Sequence, residues 1–203
     1  MTYLEFEKSL KEFPVFSIQD IKKRYPGFDS RRLVEWQQKN YIQKIRREYY
    51  CFRERKQDEK FLYFAANKIY SPSYISMESA LAYYNLIPEG VFLITSVSAR
   101  NTARYHTPVG DFSYQQIKPQ LNFGYRLIID QDVAIKVADP EKVILDYFYL
   151  KKLNSDHDIE ALRLNEGRFK ELVDFHKLGS YQSIFDSKAL NRRVRLLKEI
   201  LHA

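Results

Sequence analysis

Helix-breaking residues early in the chain limit how its fold can begin. Pro14 and the pair Pro26-Gly27 interrupt helical patterns, because proline lacks the backbone N–H that a helix interior needs. Only short helices fit before residue 40. The segments YIQKI and EYYCF that follow are rich in β-forming residues and predict two strands joined by a tight turn at Arg46-Arg47. The predicted order is therefore helix, helix, helix, hairpin.

Local signals place the second and third of these helices. Ser17 and Asp29 are favourable N-cap residues, because their side-chain oxygens can accept the free N–H groups of a first helical turn. In the third helix, Asp29 to Asn40, Leu33 and Trp36 are spaced to face inward. This order predicts a winged helix-turn-helix domain over residues 1–56.

Positive charge is concentrated in that first segment. The chain has 33 Lys and Arg against 26 Asp and Glu, a net charge of +7. Residues 1–58 hold 14 basic and 9 acidic residues, or +5, which leaves 19 and 17, or +2, for the remainder. A basic surface of this kind favours a polyanionic partner such as double-stranded DNA.

The outer face of the third helix carries the side chains suited to reading a duplex. Arginine can bond guanine at two points and glutamine can bond adenine in the same way, whereas lysine suits a phosphate. The basic hairpin could grip phosphates or enter the minor groove. The predicted DNA-binding residues are Ser30, Arg31, Arg32, Gln38, Lys39, Lys44, Arg46 and Arg47. The same elements also occur in adaptors that bind only proteins, and this alternative stays open.

Residues 57–203 predict a second, α+β domain, and the charged stretch 53–60 is the expected junction. Helical patterns alternate with aromatic strands, so we expect a small antiparallel sheet covered by helices, with C-terminal helices from about residue 151. Gly110-Asp111 and residues 130–132 are predicted hairpin turns. Asp139 followed by Pro140 predicts a helix start.

No catalytic constellation is recognisable, and we expect neither an enzyme nor a metal or cofactor site. Asp130, Asp132 and Lys136 are superficially similar to a nuclease core, but a hairpin turn explains the two aspartates better. GSYQSIFD, residues 179–186, is superficially similar to the start of a nucleotidyltransferase site; no paired carboxylates adjoin it, and it is expected to be a loop. The four histidines, His106, His157, His176 and His202, lack metal-ligand spacing.

The composition favours a cytoplasmic protein. Cys51 is the only cysteine, so the chain can form no internal disulfide, and we expect it to be a small core residue. The charged N-terminal segment lacks the apolar run of a signal peptide, and no stretch is apolar enough to span a membrane.

Three longer motifs carry a resemblance to a known family. They are YSPSYISMESALAYYNLIPEGVFLITSV (70–97), ARYHTPVGDFSYQQI (103–117) and VAIKVADPEKVILDYFYL (133–150). In this order, after a basic N-terminal segment, they resemble AbiEi-type antitoxins of type IV toxin–antitoxin, or abortive-infection, systems. The resemblance covers residues 17–150; residues 151–203 show no match.

The resemblance implies a division of labour. The winged helix would repress the protein's own operon, with possible oligomeric or cooperative binding to promoter repeats. The remainder would counter a nucleotidyltransferase-like toxin, with or without touching it. Locally, PSYISMESAL and ADPEKVILD look architectural: Val143, Ile144, Tyr147 and Phe148 are predicted to face the core.

Overall fold

The computed structural model describes residues 1–130, 133–151, 153 and 155–201, without the side chains of residues 130 and 156. The first part of the chain combines helices with a small antiparallel sheet. Its elements are α1 (Tyr3–Leu10), β1 (Phe16–Ser17), α2 (Ile18–Arg24), α3 (Arg31–Gln38), β2 (Ile42–Arg46) and β3 (Tyr49–Phe52). The three strands lie in the order β1-β3-β2, so β3 is central.

The remainder is built on a six-stranded sheet in the order β6-β7-β5-β4-β9-β8. The strands are β4 (Ser73–Ile75), β5 (Leu93–Ser98), β6 (Ala103–Thr107), β7 (Gly110–Gln116), β8 (Tyr125–Asp130) and β9 (Val133–Ala138). The helices are α4 (Glu59–Ile69), α5 (Met77–Tyr83), α6 (Pro140–Leu150), α7 (Asp156–Glu160), α8 (Glu166–Leu172), α9 (Phe175–Phe185) and α10 (Lys188–Ile200). A 3-10 turn spans Pro119–Leu121.

The α+β class is confirmed, but the expected small antiparallel sheet is wrong in size and direction. Two strand pairs, β4 with β9 and β5 with β7, are parallel. The central strand β4 has only three residues, and it pairs with β9 from far along the chain. Periodicity indicates strands but not their partners, so this mixed order could not be read from the sequence.

Helices cover both faces of this sheet. On one face lies α4, where the Tyr114 hydroxyl of β7 donates to the backbone oxygen of Ala66 at 2.9 Å. On the other face lies α6, where the Tyr74 hydroxyl of β4 donates to Asp146 at 2.9 Å. As predicted from its motif, α6 buries Val143, Ile144 and Phe148, whereas Tyr147, also predicted to face the core, is half-buried.

Two of the three predicted N-cap residues are confirmed, and the third is displaced by one residue. Ser17 caps α2 in a reciprocal capping box with Asp20, and Asp139 with Pro140 begins α6. The N-cap of α3 is Ser30, one residue beyond the predicted Asp29. The Asp29 carboxylate instead accepts hydrogen bonds from the backbone and guanidinium of Arg31.

The predicted hairpin turns are displaced by a residue or two. The β2–β3 turn is Arg47-Glu48, because Arg46 still pairs with Tyr49. The β6–β7 turn is residues 108–109, and Gly110, with a φ of 152°, opens β7 opposite Thr107.

Two other predictions concern the later part of the chain. Strands β8 and β9 are antiparallel, with Asp130 opposite Val133, while residues 131 and 132 of the predicted turn lie outside the described residues. GSYQSIFD is not a loop: most of it belongs to α9, whose Leu178 and Phe185 are buried. Its glycine and two serines weakened the helical signal, and the packing of those apolar residues overrides that weakness.

Two hydrophobic clusters organise the fold. The smaller lies between α1–α3 and one face of the three-stranded sheet and includes Phe6, Trp36 and Phe52. The larger fills the second part of the chain, but it also includes Val15, Ile45 and Cys51 from the first. The small sheet is therefore covered on both faces. In the described part of the chain, no helix has the length and apolar character needed to cross a membrane.

Candidate nucleic-acid interface

The exposed face of α3 is held in place by its buried face. Leu33 and Trp36 are buried, and the Trp36 ring lies with its centroid 4.5 Å from that of Phe6 on α1. Anchored there, the helix turns its remaining polar residues outward. The exposed set is Ser30, Arg31, Arg32, Glu35, Gln38 and Lys39.

Arg31 is one of the predicted contacts that is open to solvent. Its side chain is 91% exposed, and its guanidinium lies 2.8 Å from the Asp29 carboxylate. This hydrogen-bonded pair raises the pKa of Arg31 and lowers that of Asp29. A solvent-exposed pair of this kind contributes little stability, so Arg31 can exchange Asp29 for a phosphate or a base edge at small cost.

The neighbouring residues on α3 differ in how free they are. Arg32 donates to the backbone oxygen of Met1 at 2.8 Å. Lys39 lies 2.6 Å from Glu35, and the hydrogen bond between them raises the pKa of Lys39. Gln38 is exposed near the end of the helix, and Ser30 makes no side-chain capping bond at its start. Arg31 and Gln38 are thus two turns apart on one helix.

The hairpin presents two of its three predicted cations. Lys44 is exposed and pairs with Tyr50, which packs on the helical side of the small sheet. Arg47 is exposed in the turn itself. Lys44 can therefore contact an anion on the helical side of the small sheet, and Arg47 can contact one at the tip of the hairpin.

Arg46 was predicted to be a DNA contact on the hairpin, but its side chain is held against the second part of the chain. Its guanidinium donates to the backbone oxygen of Ile69 at 2.9 Å and lies 3.9 Å from the centre of the Tyr105 ring. A bulge between Lys44 and Arg46 is the cause, because it adds Ile45 to the strand and pairs Arg46 with Tyr49 on the side of the larger cluster. Arg46 therefore joins the two parts of the chain.

Sequence reasoning missed a buried charged network inside the motifs of residues 70–150. Lys142 and Asp146 of α6 are both fully buried and ion-paired. The Tyr74 hydroxyl donates to Asp146 at 2.9 Å and accepts from Lys142 at 2.8 Å, while the Ser76 hydroxyl donates to Asp146 at 2.9 Å. The signal was present: a lysine and an aspartate lie four residues apart in a helix whose other residues from Val143 onward are all apolar or aromatic.

A second charged group lies at the start of α6. Asp139 is bonded by Arg126 at 2.8 Å and by Lys177 at 3.1 Å, and Lys177 also lies 2.9 Å from Glu141. Burial opposes ionisation of Asp139, but the hydrogen bonds from Arg126 and Lys177 outweigh it, so the pKa is lowered. These contacts fix α6 against β8 and α9.

The residues weighed as enzymatic are scattered. His106 forms an exposed pair with Asp111 at 3.0 Å across β6 and β7. Asp132 and His202, like the side chain of Asp130, lie outside the described part of the chain. Cys51 is buried, and burial raises the pKa of its thiol to about 11. Among the residues with described side chains, no three His, Cys, Asp or Glu groups converge to hold a metal ion.

Comparison with known proteins does not identify a family for this chain. No protein-family model matches the chain, and no curated protein matches its sequence.

Proposed function

We propose that the protein is a sequence-specific DNA-binding repressor whose first 56 residues act as a winged helix-turn-helix. In this proposal α2 and α3 form the helix-turn-helix, α3 enters the major groove, and the β2–β3 hairpin is the wing. The order of elements and the placement of β3 between β1 and β2 support it. The observation that carries it is the face of α3, where Arg31 and Gln38 are exposed while Leu33 and Trp36 anchor the helix.

The proposed contacts divide by chemistry. Ser30 and Arg31 would meet base edges, because recognition helices approach the groove with their N-terminal residues. Gln38, two turns further along the same helix, would use its amide to bond an adenine. Lys39, Lys44 and Arg47 would meet phosphates, and Arg32 would join either set after leaving Met1. Arg46 is excluded from the set, since it is held at the junction.

The antitoxin role is a further part of the proposal and rests on the motif resemblance. In that role the protein would act in the cytoplasm, repress its own operon, and counter a nucleotidyltransferase-like toxin. Two of the motifs meet in the fold, because PSYISMESAL contributes the Tyr74 and Ser76 hydroxyls that donate to Asp146 at the end of ADPEKVILD. No enzymatic activity of its own is proposed.

A binding experiment tests the DNA proposal. Fluorescence anisotropy with the upstream DNA of the gene and a scrambled duplex should show preference for the first, and affinity should fall steeply as salt rises. Arg31→Ala or Gln38→Ala should reduce that preference by about 1–3 kcal/mol per lost bidentate contact. Arg47→Ala should weaken binding to both duplexes alike.

Arg192→Ala is a matched control, because Arg192 is an exposed arginine on α10, far along the chain from the proposed surface. This variant should bind both duplexes as the unaltered chain does. Equal binding of cognate and scrambled DNA by the unaltered chain would refute sequence-specific repression.

A protein-binding adaptor is the alternative function, and one observation favours it. Val34 on α3 is 56% exposed and Leu4 on α1 is 73% exposed, so the helical surface also presents apolar side chains. This alternative predicts stable co-purification with a protein partner, lost in Val34→Asp, together with no binding to DNA at low salt.

A further inference from the structure

Strand β8 forms one edge of the six-stranded sheet. Its neighbour in the sheet is β9, and the described part of the chain supplies no strand on its other side. The two strands pair in unbroken register from Tyr125 opposite Ala138 to Asp130 opposite Val133. An edge of this kind leaves a row of backbone N–H and C=O groups without strand partners. Another strand can therefore pair with β8.

A hydrogen bond beside this hairpin shows which residues of β8 point outward. The backbone N–H of Asp139 donates to the Gly124 carbonyl at 2.9 Å, and this pair continues the register of β8 and β9. Directly bonded pairs alternate with unbonded pairs along an antiparallel ladder. Tyr125, Leu127 and Ile129 therefore direct their backbone N–H and C=O groups away from β9.

The β9 residues opposite these outward positions use their backbone groups elsewhere. The backbone N–H of Lys136 donates to Asn67 Oδ1 at 2.6 Å. The backbone carbonyl of Ala138 accepts from the Tyr84 hydroxyl at 2.8 Å. Both bonds are made away from β8, as the alternation requires.

Two of the outward residues also have exposed apolar side chains. Leu127 is 57% exposed and Ile129 is 67% exposed. By strand alternation they lie on the same face as Tyr125, whose ring stacks on that of Tyr74 with centroids 5.2 Å apart. The outer edge of β8 therefore combines unpaired backbone groups with apolar side chains.

The opposite edge of the sheet differs in character. Strand β6 carries Arg104 and His106 at exposed positions, and charged or polar residues of this kind discourage pairing between sheet edges. On β8, Arg126 alternates to the other face from Leu127 and is bonded by Asp139 at 2.8 Å. The exposed face of β8 therefore lacks the protection that β6 has.

We propose that β8 pairs in antiparallel fashion with β8 of a second copy of this chain, with Leu127 at the two-fold axis. Leu127 then lies opposite Leu127 of the second copy, and Tyr125 lies opposite Ile129 of the second copy. Each outward N–H of one copy meets an outward C=O of the other, and apolar side chains meet along the whole contact. This self-complementary pattern favours a second copy, because one sequence supplies both members of every pair.

The small size of the contact sets how stable the dimer is. A contact made through one six-residue strand is smaller than a standard interface, which buries about 800 Å² per partner. The dimer should therefore dissociate on dilution. This inference does not depend on DNA binding.

Sedimentation velocity of the full-length chain at increasing concentrations tests the proposal. The sedimentation coefficient should rise from that of a monomer to that of a dimer. Leu127→Lys should raise the dissociation constant about tenfold or more, because it replaces an apolar pair with two like charges. Ile129→Lys should act in the same direction. Leu4→Lys alters an exposed leucine on α1 and should associate as the unaltered chain does.

Hydrogen exchange and cross-linking locate the contact. The outward amides of Tyr125, Leu127 and Ile129 should exchange more slowly as the dimer forms. Leu127→Cys should give a disulfide-linked dimer on mild oxidation, because directly opposed Cα atoms about 5.5 Å apart lie within disulfide range. Leu4→Cys should not cross-link. A chain that stays monomeric at every concentration would overturn the proposal and leave the edge to a strand of another protein. Undiminished association of Leu127→Lys, or a dimer of Leu127→Cys that does not cross-link, would also overturn it.

Discussion

Replacing Lys142 and Asp146 together should destabilise the fold much less than the sum of the two single replacements. The two side chains are fully buried and ion-paired, with rings of Tyr74, Phe123 and Phe185 around the ammonium at 5.2, 5.2 and 5.0 Å. Burial raises the pKa of Asp146 and lowers that of Lys142, and in each case the partner's charge opposes the shift. Each charge therefore favours the ionised form of the other, against the effect of burial.

The geometry gives different magnitudes for the two single changes. Asp146→Asn keeps an acceptor for the Tyr74 and Ser76 hydroxyls but leaves a buried ammonium uncompensated, at a cost of about 3–4 kcal/mol. Lys142→Met leaves a carboxyl group that keeps two hydroxyl donors and can take up a proton, so we expect about 2 kcal/mol. The double variant holds no buried charge, and we expect about 1–2 kcal/mol rather than the sum.

Urea denaturation of the four proteins at neutral pH measures this double-mutant cycle. The coupling free energy should be about 4 kcal/mol, well beyond the few tenths seen for independent sites. Losses that add to within about 0.5 kcal/mol would show that the pair is not coupled, and the account of the network would fail.

Three further predictions concern the junction, the thiol and the start of α6. Arg46→Ala should lower the free energy of unfolding by about 2 kcal/mol, because it removes a hydrogen bond and a cation–π contact. The control variant Arg47→Ala should change the free energy of unfolding by under about 0.5 kcal/mol. Urea denaturation measures both variants against the unaltered chain. Cys51 should not react with a thiol reagent at about pH 8 until the chain is denatured, because its pKa is about 11 and it is buried; rapid reaction of the native chain would contradict this. Because the pKa of Asp139 is lowered from 3.8, its contribution is present above about pH 4 and is lost as the pH falls through the folded-state value. Arg126→Gln should therefore cost about 1 kcal/mol at neutral pH, after allowance for solvent screening, and less near pH 3 in urea denaturation at each pH.

The elements set by local chemistry were predictable from the sequence. Ser17 begins a helix through a capping box with a neighbour within one turn, and Asp139 stands before a proline at the first helical position. Leu33 with Trp36 defines the inner side of α3 by spacing alone. The mixed order of the six-stranded sheet was not predictable, because β4 and β9 meet only through long-range packing.

The candidate interface shows the same division. Exposure of Arg31 and Gln38 follows from helical periodicity once Trp36 is placed. Strand alternation predicts the wrong side for Arg46, because one extra residue at a bulge reverses the side on which a residue lies.

Because the small sheet is buried on both faces, residues 1–56 depend on the rest of the chain for their stability. Val15, Ile45 and Cys51 belong to the larger cluster. A fragment that ends at residue 56 would therefore expose the apolar face of the three-stranded sheet to water. Such a fragment should aggregate or need solubilising changes at these three positions. The orientation of α3 is then fixed by packing against the rest of the chain. In the proposed complex, the duplex would bind the whole protein as one rigid unit and not a domain on a flexible linker.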